Sequence, residues 1–199
     1  ELIIKSYFYS FFKNKGSNIK LAIGRAGNVI GGGDWAKDRI VVDCMEAWSE
    51  GQSVEIRSPE ATRPWQHVLE PLSGYLNLGA ELYGDDNLHG EAFNFGPRAE
   101  QNHTVRQLLE DLSKYWHFND VNDAFTVTAN IPFHEAGLLK LNCDKPLFII
   151  KWQANLEYQE VIKFTSEWYY DYYKSDKNMF DKTVEQISEY EDMANNKCL

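Results

Sequence analysis

At 199 residues the chain is long enough for one sizeable domain or two small ones, with an interior able to fold without disulfide staples. Its net charge of -10 excludes the basic face that non-specific nucleic-acid or anionic-membrane binding needs, and no apolar run reaches membrane-spanning length or forms a signal peptide. Three scattered cysteines without C-x-x-C and five histidines without ligand spacing argue for a reducing compartment and against zinc, so the expectation is a soluble, acidic, cytoplasmic protein.

The chain opens in mid-pattern: residues 1–15 read as helix interior, with Leu2, Ile3, Tyr7, Phe8 and Phe11 on a broad face and a stop at Lys15-Gly16. A chain lacking an upstream part is the expectation from that start. Residues 19–23 read as a buried strand, 40–50 as a helix stopped by Gly51, and 54–56 as a short alternating strand. A helix follows over 68–83, its Glu70-Pro71 suiting an acidic, proline-tolerant first turn. Residues 92–95 read as a strand, and Thr104 caps a helix running to about Trp116. Short strands are expected at 125–128 and 139–141, then helices at 144–150, 157–173 and 181–193. Strands alternating with helices argue an α/β fold, with residues 175–199 as a loosely attached acidic tail.

The densest signal is Gly24-Arg25-Ala26-Gly27-Asn28-Val29-Ile30-Gly31-Gly32-Gly33-Asp34-Trp35, answered by Arg63-Pro64-Trp65-Gln66-His67-Val68. Glycines let backbone approach a ligand closely, and arginines grip phosphate oxygens in a planar fork. The spacing of Gly24, Gly27 and Gly31 imitates a dinucleotide fingerprint but leads into a polar loop, and the acids at the right distance, Asp43 and Glu46, fall inside a helix. That lookalike is rejected. Arg25 and Asn28 at a strand end divide evenly between a ligand role and local pairing or turn geometry. Arg39 opens a helix, where anions are favoured, and a surface pair with Asp38 or Asp43 is its bland alternative. Arg63 is stiffened by Pro64 and anchored by Trp65, so its guanidinium is expected to be held. His67 reads as a core histidine with satisfied ring nitrogens, and the aromatic run over 168–173 as packing. Glu135 accepts from ribose hydroxyls or caps the next element. No nucleophile–base pair emerges, and no catalytic residue is assigned. The residues alone give an α/β domain for a phosphate-bearing nucleotide ligand, and no reaction.

The same stretches, with Asp38-Arg39-Ile40, Ile56-Arg57, Ala92-Phe93-Asn94-Phe95-Gly96-Pro97, His134-Glu135-Ala136 and Phe164-Thr165-Ser166-Glu167-Trp168-Tyr169, closely resemble the CDP-glucose 4,6-dehydratases. These are NAD-dependent nucleotide-sugar enzymes of the extended short-chain dehydrogenase/reductase superfamily. The resemblance implies the C-terminal part of a Rossmann-type fold with a small mixed α/β substrate-binding subdomain interleaved along residues 1–199. It implies that Asn28 contacts the sugar-pyrophosphate, Arg39 and Arg63 hold the pyrophosphate, the Val54-Glu55-Ile56 strand, chiefly Val54 and Ile56, lines the base, and Glu135 binds ribose. Ala26 and Gly27 would touch the nicotinamide side of NAD by backbone. The family fingerprint T-G-x-x-G-x-x-G and the pair Y-x-x-x-K are absent from the chain, and residues 2–7 resemble the helix that follows that lysine. Lys151-Trp152 stands where the family has Gly-Trp, and Val42 where it has Pro. The implied reaction oxidises CDP-glucose at C4, eliminates water across C5–C6 and returns hydride to C6, giving CDP-4-keto-6-deoxyglucose for deoxysugar and lipopolysaccharide biosynthesis. NAD would be bound mainly by a half outside this chain, the whole enzyme would be a homo-oligomer, and the fragment alone would be inactive. The alternatives are another nucleotide-sugar epimerase or dehydratase, and a non-catalytic nucleotide-sugar-binding module.

Overall fold

The register of the first strand is set by its partner, not by its own apolar run. The structure, a computed structural model, describes residues 1–14, 18–118, 120–128 and 140–197. Strand β1 spans Ile23–Ala26, whereas the apolar pattern placed it at 19–23. The Leu21 amide donates to His89 Nδ1 (3.0 Å) and its carbonyl accepts from Gly90 N (2.7 Å), so this segment runs beside a turn in which Gly90 has φ +89. A regular ladder starts only where the partner becomes a strand, at Ala92. Gly24 and Arg25 therefore lie inside β1 and not in a loop.

Among the described residues, eight short strands and seven α-helices follow the alternation expected of an α/β chain. Helix α1 (Leu2–Tyr7) continues as a π-helical turn over Phe8–Phe12, and its apolar face is exposed. The expected stop at Lys15-Gly16 lies outside the described residues. After β1 come β2 (Val29–Ile30), α2 (Ile40–Ser49) and β3 (Val54–Ile56), with Gly51 at φ +72 ending α2 as its sequence requires. Next are β4 (Thr62–Arg63), β5 (Gln66–His67), α3 (Leu69–Gly84) and β6 (Ala92–Phe95). Then come β7 (His103–Thr104), α4 (Val105–Ser113) and β8 (Phe125–Val127). Thr104 and Gln107 close a reciprocal capping box at the start of α4. The chain finishes with α5 (Asp144–Ile150), α6 (Tyr158–Lys174) and α7 (Met179–Lys197).

Among the described residues three strand pairs are parallel: β1 with β6, β2 with β5, and β3 with β8. β4 and β7 pair antiparallel, Arg63 facing His103. One core gathers α2, α4 and α6 around Cys44, Met45, Trp48, Leu108, Leu112 and Phe164. A second, built on Leu78, Phe93, Phe95 and Trp152, joins α3, β6 and α5.

Three further expectations need correction or explanation. Lys140 and Leu141 are not strand, and Leu139 lies outside the described residues. Here side chains replace the ladder: Asn94 Nδ2 donates to Asn142 O (3.0 Å), and Asn142 Oδ1 accepts from Asp144 N (2.9 Å). Residues 179–197 form a docked helix, not a loose tail. Gln186 Nε2 donates to Phe164 O (2.8 Å), Trp168 Nε1 to Thr183 Oγ1 (3.0 Å), and Lys182 pairs with Glu167 (3.2 Å). The inward face of α7 mixes Lys182 and Gln186 with Met179, Tyr190 and Met193, so its apolar stripe is thin in the sequence. Lys151 adopts φ +54, the left-handed conformation that glycine takes without strain, and this accounts for Gly at that place in the resembling family.

His67 is a core residue, 2% exposed, with its ring edge-on to Phe164. Only one nitrogen is engaged: Nδ1 accepts from Leu69 N at 3.4 Å, while Nε2 has no partner among the described residues. Burial pushes its pKa down to about 4. On acidification the unfolded chain therefore takes up this proton near pH 6.5, before the folded chain does. His67 contributes fully to stability above about pH 6.5, and that contribution drains away as pH falls towards 4. We expect urea unfolding of wild type and His67→Gln to diverge with pH, wild type losing up to about 3 kcal/mol more across this window. Parallel pH profiles would refute the assignment.

Candidate functional site

A cavity of about 1030 Å³ opens among residues 26–31 from the end of β1 through β2, the start of α2, the end of β3, and Arg63 and Trp65. It lies at the carboxyl ends of β1 and β3, where open α/β sheets bind ligands.

The loop from Gly31 to Asp38 forms one wall, and aromatic packing fixes it. Trp35 lies against Trp168, Tyr169 and Tyr172, the last at 4.8 Å between ring centroids. The hydroxyl of Tyr169, whose pKa burial pushes up, donates to Asp34 O at 2.8 Å. The Asp34 carboxylate accepts from Ala36 N on one oxygen and from Arg39 Nη1 on the other, both at 3.0 Å. Arg39 stands as the extended N-cap residue of α2, with no side-chain cap bond. Its acidic partner is thus Asp34, brought in by the loop, and neither of the neighbours Asp38 and Asp43. Arg63 reaches the cavity from β4, half-buried, and Nη1 donates to Thr62 O (2.8 Å). Pro64 and Trp65 beside it are buried, and Trp65 Nε1 donates to His103 O (3.2 Å), so the β4–β5 corner is rigid.

Ala26, Gly27, Asn28, Arg39, Ile56 and Arg63 therefore border one cavity. The Asn28 carbonyl accepts from Gln66 N (3.1 Å), and its side-chain amide has no partner among the described residues. Val54 is not on the cavity wall; it packs half-buried against the core of α2 and α4. Glu135 lies outside the described residues. Arg25 is also absent from the wall: its guanidinium forms a two-bonded pair with Glu1 (2.8 Å each) and donates to Asn94 Oδ1 (3.0 Å). That pairing, with Lys5 adding to it, holds the Glu1 carboxyl down at about 2.

Sequence reasoning missed Asp34, Asp43, Arg57, Ser58 and Tyr169, all on the wall, while Glu55, within the strand expected against the base, is on it too. The alternation around buried Ile56 could have shown Arg57; nothing local marks the bond from Tyr169 to Asp34. Electrostatically the wall is mixed. Burial, with the nearby charge of Asp38, raises the pKa of Asp43. Arg39, Arg57 and Arg63 supply the cationic side.

A dinucleotide phosphate needs a glycine turn leading into a helix N-terminus. Here Gly24 to Ala26 run as strand and the chain passes into β2, so the described residues do not form such a seat; towards a nicotinamide they offer the backbone of Ala26 and Gly27 at the cavity edge. Among the described residues no group of three His, Cys, Asp or Glu could hold a metal ion, and no helix is long and apolar enough to cross a membrane.

No protein-family model matches the chain. In sequence it is 37% identical over 193 residues to CDP-glucose 4,6-dehydratase of Salmonella typhimurium, an alignment covering 96% of this chain and 53% of that protein. In structure it resembles a dTDP-glucose 4,6-dehydratase from Streptomyces venezuelae solved with NAD and TYD bound (TM-score 0.68, 14% identity, 86% of this chain and 48% of that one). A dTDP-glucose 4,6-dehydratase from Bacillus anthracis in complex with NAD gives a TM-score of 0.65 at 14% identity, covering 86% and 49%. UDP-glucose 4-epimerase from Thermotoga maritima, solved with UDP-glucose, gives 0.63 at 22% identity, covering 90% and 51%. The chain spans about half the length of each of these proteins. It is thus a sequence relative of the CDP-glucose 4,6-dehydratases with the α/β fold of the Rossmann-type extended short-chain dehydrogenase/reductase dehydratases and epimerases.

Proposed function

We propose that this chain forms the nucleotide-sugar-binding part of a CDP-glucose 4,6-dehydratase, with the cofactor fingerprint and the Tyr–Lys pair supplied by chain outside residues 1–199. The observation that carries the reading is the approach of Arg39 and Arg63 to one cavity that Asn28 also borders. Two guanidinium groups from separate elements, each anchored by a hydrogen bond, suit a diphosphate. Asn28 offers an amide to the sugar end, and Ile56 an apolar wall. Glu135 is assigned to the ribose. NAD, when bound, supplies reversible removal of hydride from the sugar. This chain's residues bind and orient the nucleotide sugar, and Ala26 and Gly27 let backbone approach the reacting end.

In the full-length protein, Arg63→Ala is expected to weaken CDP-glucose binding by about 2–3 kcal/mol through loss of charged hydrogen bonds. Titration calorimetry measures this, and an unchanged dissociation constant would sink the assignment. Product analysis on CDP-glucose tests the reaction: a 4-keto-6-deoxy sugar is expected, and a C4 epimer alone would transfer the chain to the epimerases.

A further inference from the structure

Helix α1 has no buried residue, so the contacts at its ends decide where it lies. The far end is packed. The Phe8 ring lies edge-on to His89 at 4.8 Å and covers Gly90, where an added Cβ would clash with it. His89 Nδ1 accepts from the Leu21 amide, so Nε2 carries the proton and donates to Phe12 O at 2.8 Å. The near end rests on one residue. Glu1 stands as the N-cap of α1 but spends its carboxylate on no helix amide. Both oxygens accept instead from the Arg25 fork on β1, Oε2 from Nε and Oε1 from Nη2, each at 2.8 Å. Lys5 adds an ion pair from within the helix at 3.0 Å. Among the described residues, 1–5 make no other hydrogen bond or ion pair to the rest of the chain.

The fork is itself aimed. Arg25 Nη1 donates to Asn94 Oδ1 (3.0 Å) straight across the β1–β6 ladder, and Asn94 Nδ2 is tied to Asn142 O (3.0 Å). A planar guanidinium engaged with both Glu1 and Asn94 has one orientation, which a lysine would not keep. The pair is partly open to water, the Arg25 side chain 41% and Glu1 33% exposed, and such pairs add little stability. What a two-pronged contact gives beyond energy is placement.

Arg25 precedes Ala26 and Gly27, which border the cavity, so the link fixes the chain entering α1 relative to the reacting end of that cavity. On the function proposed above, on which this inference rests, the Tyr–Lys pair lies on that entering chain. We propose that Arg25 is a positioning residue for the dehydratase reaction. Through Glu1 it sets the first turn of α1, and with it the Tyr–Lys pair, at a fixed distance from the sugar, and it touches no ligand itself.

The test is steady-state turnover of CDP-glucose by the full-length protein, beside calorimetric titration with CDP and thermal unfolding. In Arg25→Ala, kcat should fall about a hundredfold, the size of a misplacement of about 1 Å at a reacting centre, while KM and the CDP dissociation constant stay within about twofold of wild type. Arg25→Lys keeps the charge without the fork and should recover about tenfold of that loss. Glu1→Ala should reproduce Arg25→Ala. The double variant should be no slower than either single one, because the two side chains act as a unit. A purely structural role would lower the unfolding midpoint and raise KM along with the loss of kcat, and that result would overturn the proposal. So would wild-type kcat in Arg25→Ala, or losses that multiply in the double variant. If Arg25→Ala does not fold, Arg25→Lys and Glu1→Gln decide: slowed kcat at unchanged KM supports the role, and any other pattern overturns it. These outcomes leave the assigned reaction standing. Wild type that binds CDP yet forms no 4-keto-6-deoxy sugar would overturn that reaction, and this inference with it.

Discussion

Replacing Glu70 by alanine is expected to destabilise the protein by about 3 kcal/mol, more than any exposed substitution. The side chain is 1% exposed, yet its carboxylate is fully used. It accepts from Asn155 N at 2.8 and 3.0 Å, from Leu156 N, and from the Tyr190 hydroxyl at 3.0 Å. Burial pushes its pKa up, and these donors pull it back towards the charged form. The carboxylate thereby ties α3 to the segment entering α6 and to α7. Ser73, one turn on, extends the tie: its hydroxyl accepts from Trp152 Nε1 at 3.0 Å and lies 2.8 Å from the Tyr190 hydroxyl. Alanine would leave two backbone amides without an acceptor, each costing about 1–3 kcal/mol before water enters, while the Tyr190 hydroxyl keeps Ser73 Oγ as its acceptor. Glu70→Gln keeps one acceptor oxygen but turns an amine towards a donor, so about half the loss is expected. Tyr190→Phe removes the link to α7 alone and should cost about 1 kcal/mol. Urea unfolding of the three variants measures the series. An alanine variant with an unchanged midpoint would show that the carboxylate is dispensable.

Glu70 also marks where reading the sequence stops. Its position beside Pro71 was legible as a first helical turn, because composition there is a local property. Its partners lie 85 to 120 residues away, and no periodicity reports them. The same division runs through the fold. β3, β6 and α5 fall where alternation and helical spacing put them, and Thr104 caps α4, since each signal sits within a few residues. β1 shifts because a ladder needs a strand beside it, and beside Leu21 the chain is the turn at His89 and Gly90. α7 was misjudged because its buried face carries Lys182, Gln186 and Tyr190, which dock by hydrogen bonds. In the site, Arg39 and Arg63 were legible from residue type and from the stiff or helix-opening context around them. The acid that holds Arg39 was not. Asp34 reaches it only because Tyr169 and Trp35 fold the loop back.

That loop gives the second large effect. Gly32→Ala is expected to cost about 2–3 kcal/mol and to weaken nucleotide-sugar binding at the same time. A Cβ on Gly32 would lie 2.0 Å from Trp168 Cγ and 2.1 Å from Cδ2, well inside contact distance. The indole cannot yield. It is 8% exposed, stacked nearly parallel to Tyr172, and held by its bond to Thr183. The loop must lift instead, carrying Asp34 with it. Asp34 accepts from Tyr169 through its carbonyl and from Arg39 through its carboxylate, so the displacement loosens the guanidinium at the cavity. Gly51→Ala is the control. Gly51 has positive φ, +72, which Gly32 does not, but nothing lies within 4 Å of its Cβ position. It should lose only about 1 kcal/mol of backbone strain and bind CDP-glucose as wild type does. Thermal unfolding and calorimetry on the pair separate strain from steric displacement. If Gly32→Ala matches Gly51→Ala in both measurements, Trp168 does not brace the loop and Arg39 is not positioned through it.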